Sequence, residues 1–141
     1  GTDSKTKLIH SVSVSGANVH DSQQLPHLLH GNEQRVYGDS AYTDQGQTLR
    51  AIAPKARDFT NEKGRANRPL TAAQRAKNRF KSKVRAKVEH AFGVIKRVFG
   101  FAKVRYRGLA KNANRVFVTA ALANLFLARR YLIGLPQGSC A

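Results

Sequence analysis

Acidic residues are scarce in this chain and nearly absent from its second half. Of the eight Asp and Glu among 141 residues, seven lie between Asp3 and Glu62, and Glu89 alone follows. Against them stand 25 Lys and Arg, for a formal charge of +17. That imbalance points to a polyanionic partner, with nucleic acid ahead of an anionic membrane because no lipidation motif or basic amphipathic anchor stands out. Cysteine is scarcer still. The single Cys140 lies in a terminal tail and makes no internal disulfide, which fits a reducing compartment. No signal peptide opens the chain. The most apolar run, residues 116–128, is short for a bilayer span and interrupted by Thr119 and Asn124. These absences lead to the expectation of a soluble cytoplasmic protein. Hydrophobic residues at 41% argue against wholesale disorder, and the length suits one domain or part of a larger one.

The pattern along the chain predicts an α/β protein. Residues 8–15 (LIHSVSVS) alternate as a strand with Ile9, Val12 and Val14 as its apolar anchors. Asp21 is expected to cap a helix over residues 21–30, with Gln24 completing an approximate capping box. A short strand at 34–38 follows, then a helix at 44–50, a brief strand at 51–54 and a polar loop over 57–70. Thr71 is expected to cap a long helix reaching about Val98. Residues 100–109 read as a further strand or an extended arm. Residues 111–132 read as a helix apolar nearly all round and therefore buried. The domain is expected over residues 1–133, with 134–141 as a flexible tail. An opening strand without a partner leaves an apolar edge, so the fold is expected to be incomplete on its N-terminal side.

The helix at 71–98 concentrates the chemistry. Glu89 stands among Lys81, Lys83, Arg85, Lys87, Lys96 and Arg97. At 3.6 residues per turn, Arg85, Glu89 and Lys96 fall within roughly 40° of one another, and Ser82 joins the stripe. Val84, Val88, Ala91, Phe92, Ile95 and Phe99 centre about 100° away and form the expected packing side. Two readings of the stripe stand side by side. Glu89 is a hard-cation ligand facing a polyanion, or it is one member of a salt-bridged surface helix. Asp39 has the same ambiguity: it closes a strand, where ligands of α/β sheets bind, and it also fits a turn or cap. Asp21 fits a cap better, and Asp3 a turn. His10, His20, His27 and His30 lack metal-ligand spacing and His90 points off the stripe, so zinc is not expected.

Arg85-x3-Glu89-x6-Lys96 resembles the core of the Y-x2-R-x3-E-x6-K signature of bacterial insertion-sequence DDE transposases, which have an RNase H-like fold. Ser82 stands where that signature has Tyr. GDSAY at Gly38–Tyr42 resembles the segment bearing their second catalytic Asp. The opening SKTKLIHSVSVSGANVHD and the closing stretch through Asn124 and Arg129-Arg130 resemble the same family.

The resemblance implies that Asp39 and Glu89 are catalytic metal ligands for Mg²⁺ or Mn²⁺ in a two-metal site. It also implies that Arg85 and Lys96 contact the DNA end, with Lys81 and Arg97 beside them. The first Asp of such enzymes lies on an earlier strand, and no position here matches it. An N-terminally incomplete RNase H-like core is thus implied, binding DNA (terminal inverted repeats and target) but with little strand transfer of its own. A homo-oligomer in a transpososome, an upstream fragment supplying the first Asp, and a cytoplasmic, nucleoid-associated location are implied with it. The rival reading is a non-enzymatic basic nucleic-acid-binding protein, in which Glu89 is structural. The basic stretch 63–111 suits a DNA track, and most of its aromatics (Phe80, Phe92, Phe99, Phe101, Tyr106) are expected in the core.

Overall fold

A computed structural model of the chain describes residues 1–134. The chain opens with a hairpin-like loop in place of the expected strand at 8–15. The Asp3 carboxylate accepts from the backbone N–H of Lys5 and Thr6 and from the Thr6 hydroxyl, and Thr2 bridges Ile9. Lys7 takes a φ of 65° to close the turn. Residues 10–16 then run without a strand partner among the described residues. A strand is defined by its ladder, and alternation alone does not supply one. One stand-in does exist: the Asn124 amide accepts from Ile9 N–H (2.8 Å) and donates to Ile9 C=O (2.7 Å), as a neighbouring strand would.

The helix expected over residues 21–30 is shorter and begins as a 3-10 turn, Asp21–Gln24, followed by α1, Leu25–Leu28. Pro26 carries no N–H, so an α-helix begun at Asp21 would lack its bond to Ser22. The cap is His20, whose ring nitrogen accepts from Ser22 N–H, and not Asp21. Gln24 is engaged elsewhere, by the Ser13 hydroxyl.

Strand β1 (Arg35–Val36) and helix α2 (Gly46–Ile52) fall near their expected places. The strand expected at 51–54 does not form. Ala51 and Ile52 complete α2, Ala53 N–H bonds back to Leu49 C=O, and Pro54 ends the run. The second strand, β2, is Arg57–Asp58, inside the expected loop, and pairs parallel to β1 with Arg35 opposite Arg57 and Val36 opposite Asp58. Parallel strands need a crossover, and α2 lies within it. The result is a two-stranded parallel sheet with helices around it, which realises the α/β expectation only in part.

Helix α3, Ala72–Arg97, forms as expected. Thr71 and Gln74 make a reciprocal capping box: the Thr71 hydroxyl accepts from Gln74 N–H (3.2 Å), and the Gln74 side chain accepts from Thr71 N–H (2.9 Å). At its far end Gly100, with a φ of 61°, turns the chain away. Residues 102–108 form an exposed arm without strand pairing among the described residues. Asn112 organises the end of that arm, since its amide donates to the carbonyls of Tyr106 and Gly108.

Helix α4, Leu109–Gly134, packs on α3 through small residues. Ala91 and Val94 of α3 and Ala120 and Ala123 of α4 are buried, and short side chains let two helices approach closely. The expected burial of the whole of α4 fails. Val118, Leu125 and Ile133 are 60%, 58% and 81% exposed, because α3 covers one face and no described residue covers the other. By length and composition α4 could cross a membrane, which the shorter run 116–128 did not suggest. Its Asn112 and Asn124 bonds and its contact with α3 nevertheless tie it into the chain's own fold. A second small core joins Leu25 of α1 to Leu49 and Ala53 around α2. Helix α4 is described as far as Gly134, and the rest of the expected tail, 135–141, lies outside the described residues.

Candidate catalytic site and basic face

The parallel ladder delivers Asp39. Backbone carbonyls of Gln34, Val36 and Gly38 accept in turn from Arg57, Phe59 and Asn61 N–H at 2.9, 2.8 and 3.1 Å. Pairing thus runs two residues past β1, and Tyr37 stacks on Phe59 with ring centroids 5.0 Å apart. Gly38 suits the close approach, because a Cβ there would crowd Thr60 Oγ1 at 3.1 Å and Tyr42 Cβ at 3.3 Å. The next residue, half-buried Asp39, caps the 3-10 turn Ser40–Tyr42 by accepting from Ala41 N–H (2.9 Å) through Oδ1. Its Oδ2 has no hydrogen-bond partner among the described residues. Burial, followed by the charges of Asp21 and Asp39, pushes the Tyr42 phenol above its usual range. The 3-10 turn that begins at Asp21 lies against the one that Asp39 caps.

Glu89 lies on the solvent side of α3. Its side chain is 67% exposed and its Oε1 sits 3.6 Å from Arg85 Nη2, on a side chain that is 35% exposed. Such a pair on a wet helix face contributes about 0.3–0.5 kcal/mol. The sequence stripe is real in projection, but its members differ: Arg85 is half-buried, whereas Glu89, Lys96 and Arg97 are exposed. Lys81 is drawn away from solvent and donates from Nζ to the Thr60 carbonyl (2.7 Å).

Between the Asp39 turn and α3 runs a strap, residues 60–62. Asn61 N–H bonds Gly38, and the Thr43 hydroxyl donates to Asn61 C=O (3.0 Å). On the other side Asn61 Nδ2 donates to Ser82 Oγ (3.0 Å). Glu62 exchanges both backbone bonds with the Asn78 amide, and its carboxylate accepts from Gln74. Gln74, Asn78, Lys81 and Ser82 share one face of α3 by their spacing. This strap lies within the stretch expected to be an exposed loop, and nothing periodic in the sequence marks it.

The basic face is broad. Lys63, Arg65 and Arg68 are exposed in the loop before α3, as are Lys103, Arg105 and Arg107 in the arm after it. Three aromatics expected in the core lie at the surface: Phe80, Phe92 and Tyr106 are 64%, 54% and 51% exposed. Arg115 stacks its guanidinium over Phe101 at 4.7 Å, so part of this face is a cation–aromatic surface.

Metal chemistry can be weighed on the donors themselves. Among the described residues no three His, Cys, Asp or Glu side chains gather into a metal-holding group. Asp39 and Glu89 are hard oxygen donors, and Mg²⁺ takes one or two carboxylates while waters and phosphates fill its shell. Taken singly, each acid is a donor of the kind that Mg²⁺ takes.

No solved structure matches the chain. A family described as Transposase DDE domain matches residues 1–125, a stretch that begins in the Asp3 hairpin and runs through Asn124. This family implies an RNase H-like fold, normally uses a divalent metal and acts on DNA. The match takes in the GDSAY turn, the strap and the whole of α3, and with 125 of 141 residues inside it the chain belongs to the transposase DDE domain family.

Proposed function

We propose that this chain is the part of an insertion-sequence transposase that carries two of its catalytic acids, Asp39 and Glu89, together with a DNA-binding face on α3. The observation that carries the reading is the parallel ladder, which ends at Gly38 and sets Asp39 at a strand terminus with one carboxylate oxygen uncommitted. Asp39 and Glu89 would hold Mg²⁺ or Mn²⁺. When bound, a metal pair supplies activation of water or a 3′-hydroxyl and stabilisation of the leaving oxygen in an in-line displacement. Asp39 contributes a carboxylate whose rotamer is fixed by Ala41 N–H. Glu89 contributes an exposed carboxylate, reachable by a phosphate-bound cation, with Arg85 beside it to pair with the same phosphate. Lys96 and Arg97, open to solvent, neutralise backbone phosphates further along the duplex. No position supplies a first acid, so the chain alone binds DNA and metal but performs little strand transfer. Homo-oligomers at paired ends, and a separate segment donating the first Asp, belong to the same proposal. Work on DNA places it in the cytoplasm at the nucleoid.

The rival is a non-enzymatic basic DNA-binding protein, favoured by the Arg85–Glu89 pair and by the capping role of Asp39. Against it stands the order of the pair. A basic residue four positions before an acid opposes the helix dipole and adds less than the reverse order. Mn²⁺ calorimetry and paramagnetic relaxation separate the two. The catalytic reading expects Asp39→Asn and Glu89→Gln each to weaken Mn²⁺ binding by about tenfold or more. Unchanged Mn²⁺ binding in both variants leaves only the rival. Robust Mg²⁺-dependent nicking of a terminal-repeat duplex by the wild-type chain alone, lost in Asp39→Ala, would overturn the claim that the chain is inactive by itself.

A further inference from the structure

We propose that Asn61 is a positioning residue that sets the placement of the Asp39 turn against α3, and through it the relation of Asp39 to Glu89. The proposal rests on the paired-acid reading above for its functional meaning, and on geometry for the rest. Asn61 is the one strap residue bonded on both sides. Its main chain holds the Asp39 turn through Gly38 C=O and the Thr43 hydroxyl, and its side chain holds α3 through Ser82 Oγ. Ser82 stands one turn before Arg85, which in turn pairs with Glu89. Hydrogen bonds thus run from Gly38, beside Asp39, through Asn61 to Ser82, and from Ser82 the helix itself carries the path one turn on to Arg85 and its partner Glu89. The residues on either side of Asn61 fasten the strap along the same helix face, Thr60 through Lys81 and Glu62 through Gln74 and Asn78. These outer bonds secure the strap, and the Asn61–Ser82 bond fixes its register.

A second observation marks this contact as more than packing. Among the described residues, two side-chain polar atoms are shut from solvent without a hydrogen-bond partner, Asn61 Oδ1 and Arg85 Nε. One is an acceptor and the other a donor, and both belong to this path. Unsatisfied buried groups concentrate where a structure serves a site as well as stability.

The test measures position directly. In the full chain carrying Cys140→Ser, spin labels at Ala41→Cys and His90→Cys report the separation of the Asp39 turn from α3 by pulsed electron resonance. The expected wild-type distance distribution is narrow. Asn61→Ala and Ser82→Ala each broaden or shift it, and the double variant is no worse than either alone, because they break one bond. Asn61→Asp restores the narrow distribution, because the Ser82 hydroxyl then donates to the carboxylate. Far-UV circular dichroism checks that the helices persist, and Ser82→Ala serves as the milder variant should Asn61→Ala fail to fold. Mn²⁺ affinity falls about tenfold in Asn61→Ala, as for a residue that orients a ligand without being one. Unchanged distances in both single variants overturn the proposal. So does a loss of Mn²⁺ affinity in Asp39→Asn and Glu89→Gln that Asn61→Ala does not share. Broadened distances with Mn²⁺ affinity untouched in all variants sink the paired-acid reading instead and leave the positional role of Asn61 standing.

Discussion

Replacing Asn124 by Ala removes the two hydrogen bonds that join α4 to the opening hairpin, Ile9 N–H to Oδ1 at 2.8 Å and Nδ2 to Ile9 C=O at 2.7 Å. Each bond contributes about 1 kcal/mol net, and leaving partners unpaired in a protected place costs about 1–3 kcal/mol each. Ile9 is half-buried, so water reaches its freed groups and the lower end applies. The gross loss is then about 2–3 kcal/mol. Ala is the better helix former, by about half a kcal/mol in a helix interior, which offsets part of it. The expected net loss is about 2 kcal/mol, roughly a thirtyfold rise in the unfolding constant. Urea unfolding followed by circular dichroism reads this as a lower midpoint at unchanged slope. Leu125→Ala, one position along on the 58% exposed face, is the control and shifts stability by no more than about 0.5 kcal/mol. Should Asn124→Ala fall within about 0.5 kcal/mol of wild type, the strand-mimicking role of Asn124 is wrong.

The Tyr42 phenol titrates above its usual value of 10.0, through burial first and then the charges of Asp21 and Asp39. Asp39→Asn and Asp21→Asn each bring it back toward that value in an ultraviolet titration with Tyr42→Phe as the subtraction control, and no movement in either would show that the two charges do not act on the phenol. Acid acts on the opening segment in two stages. Burial first, then the neighbouring positive charges, hold His10 below its ordinary 6.5, so the unfolded chain binds more protons as pH falls through that value and stability declines from there to the folded pKa. Burial pushes Glu33 up, but N–H donors from His30 and Gly31 outweigh it and leave it below 4.5. Its contribution is therefore present above that value and is lost as pH falls through the lower folded pKa. Urea midpoints measured from about pH 8 to about pH 3 fall in both windows, and His10→Gln removes the upper stage. A flat profile between roughly pH 7 and pH 5 refutes the His10 assignment.

Local chemistry was legible in the sequence where it has a local signature. Thr71 and Gln74 announced the start of α3, and the run before Asp39 announced a strand that ends in an acid. Periodicity was less reliable wherever the outcome depends on what lies opposite. The alternation at 8–15 could not tell that Ile9 would find an Asn side chain instead of a strand. The apolar surround of α4 could not tell that only its Ala120–Ala123 side is covered. Phe92 joined the packing side of α3 by angle, but Ala91 and Val94 face α4 and Phe92 is turned out. The strap at 60–62 is the deepest omission. Its bonds to α3 involve side chains and join positions 12 to 21 apart, and they repeat with no period.

The two readings left open for each acid concern different atoms, and the structure allows both at once. A carboxylate has two oxygens with about four lone-pair sites, and a cap uses one of them. Asp39 Oδ1 is held by Ala41 N–H, which freezes the rotamer while Oδ2 stays uncommitted. Arg85 pairs with Glu89 Oε1 at 3.6 Å, in an order that adds little to helix stability. A site that must present charged ligands in a fixed direction gains from such structural bonds, because less ordering remains to be done on binding. A cap at Asp39 and an ion pair at Glu89 are therefore compatible with the proposed ligand roles. The capped turn and the paired helix face meet through Asn61, and the placement of one acid against the other rests on that strap.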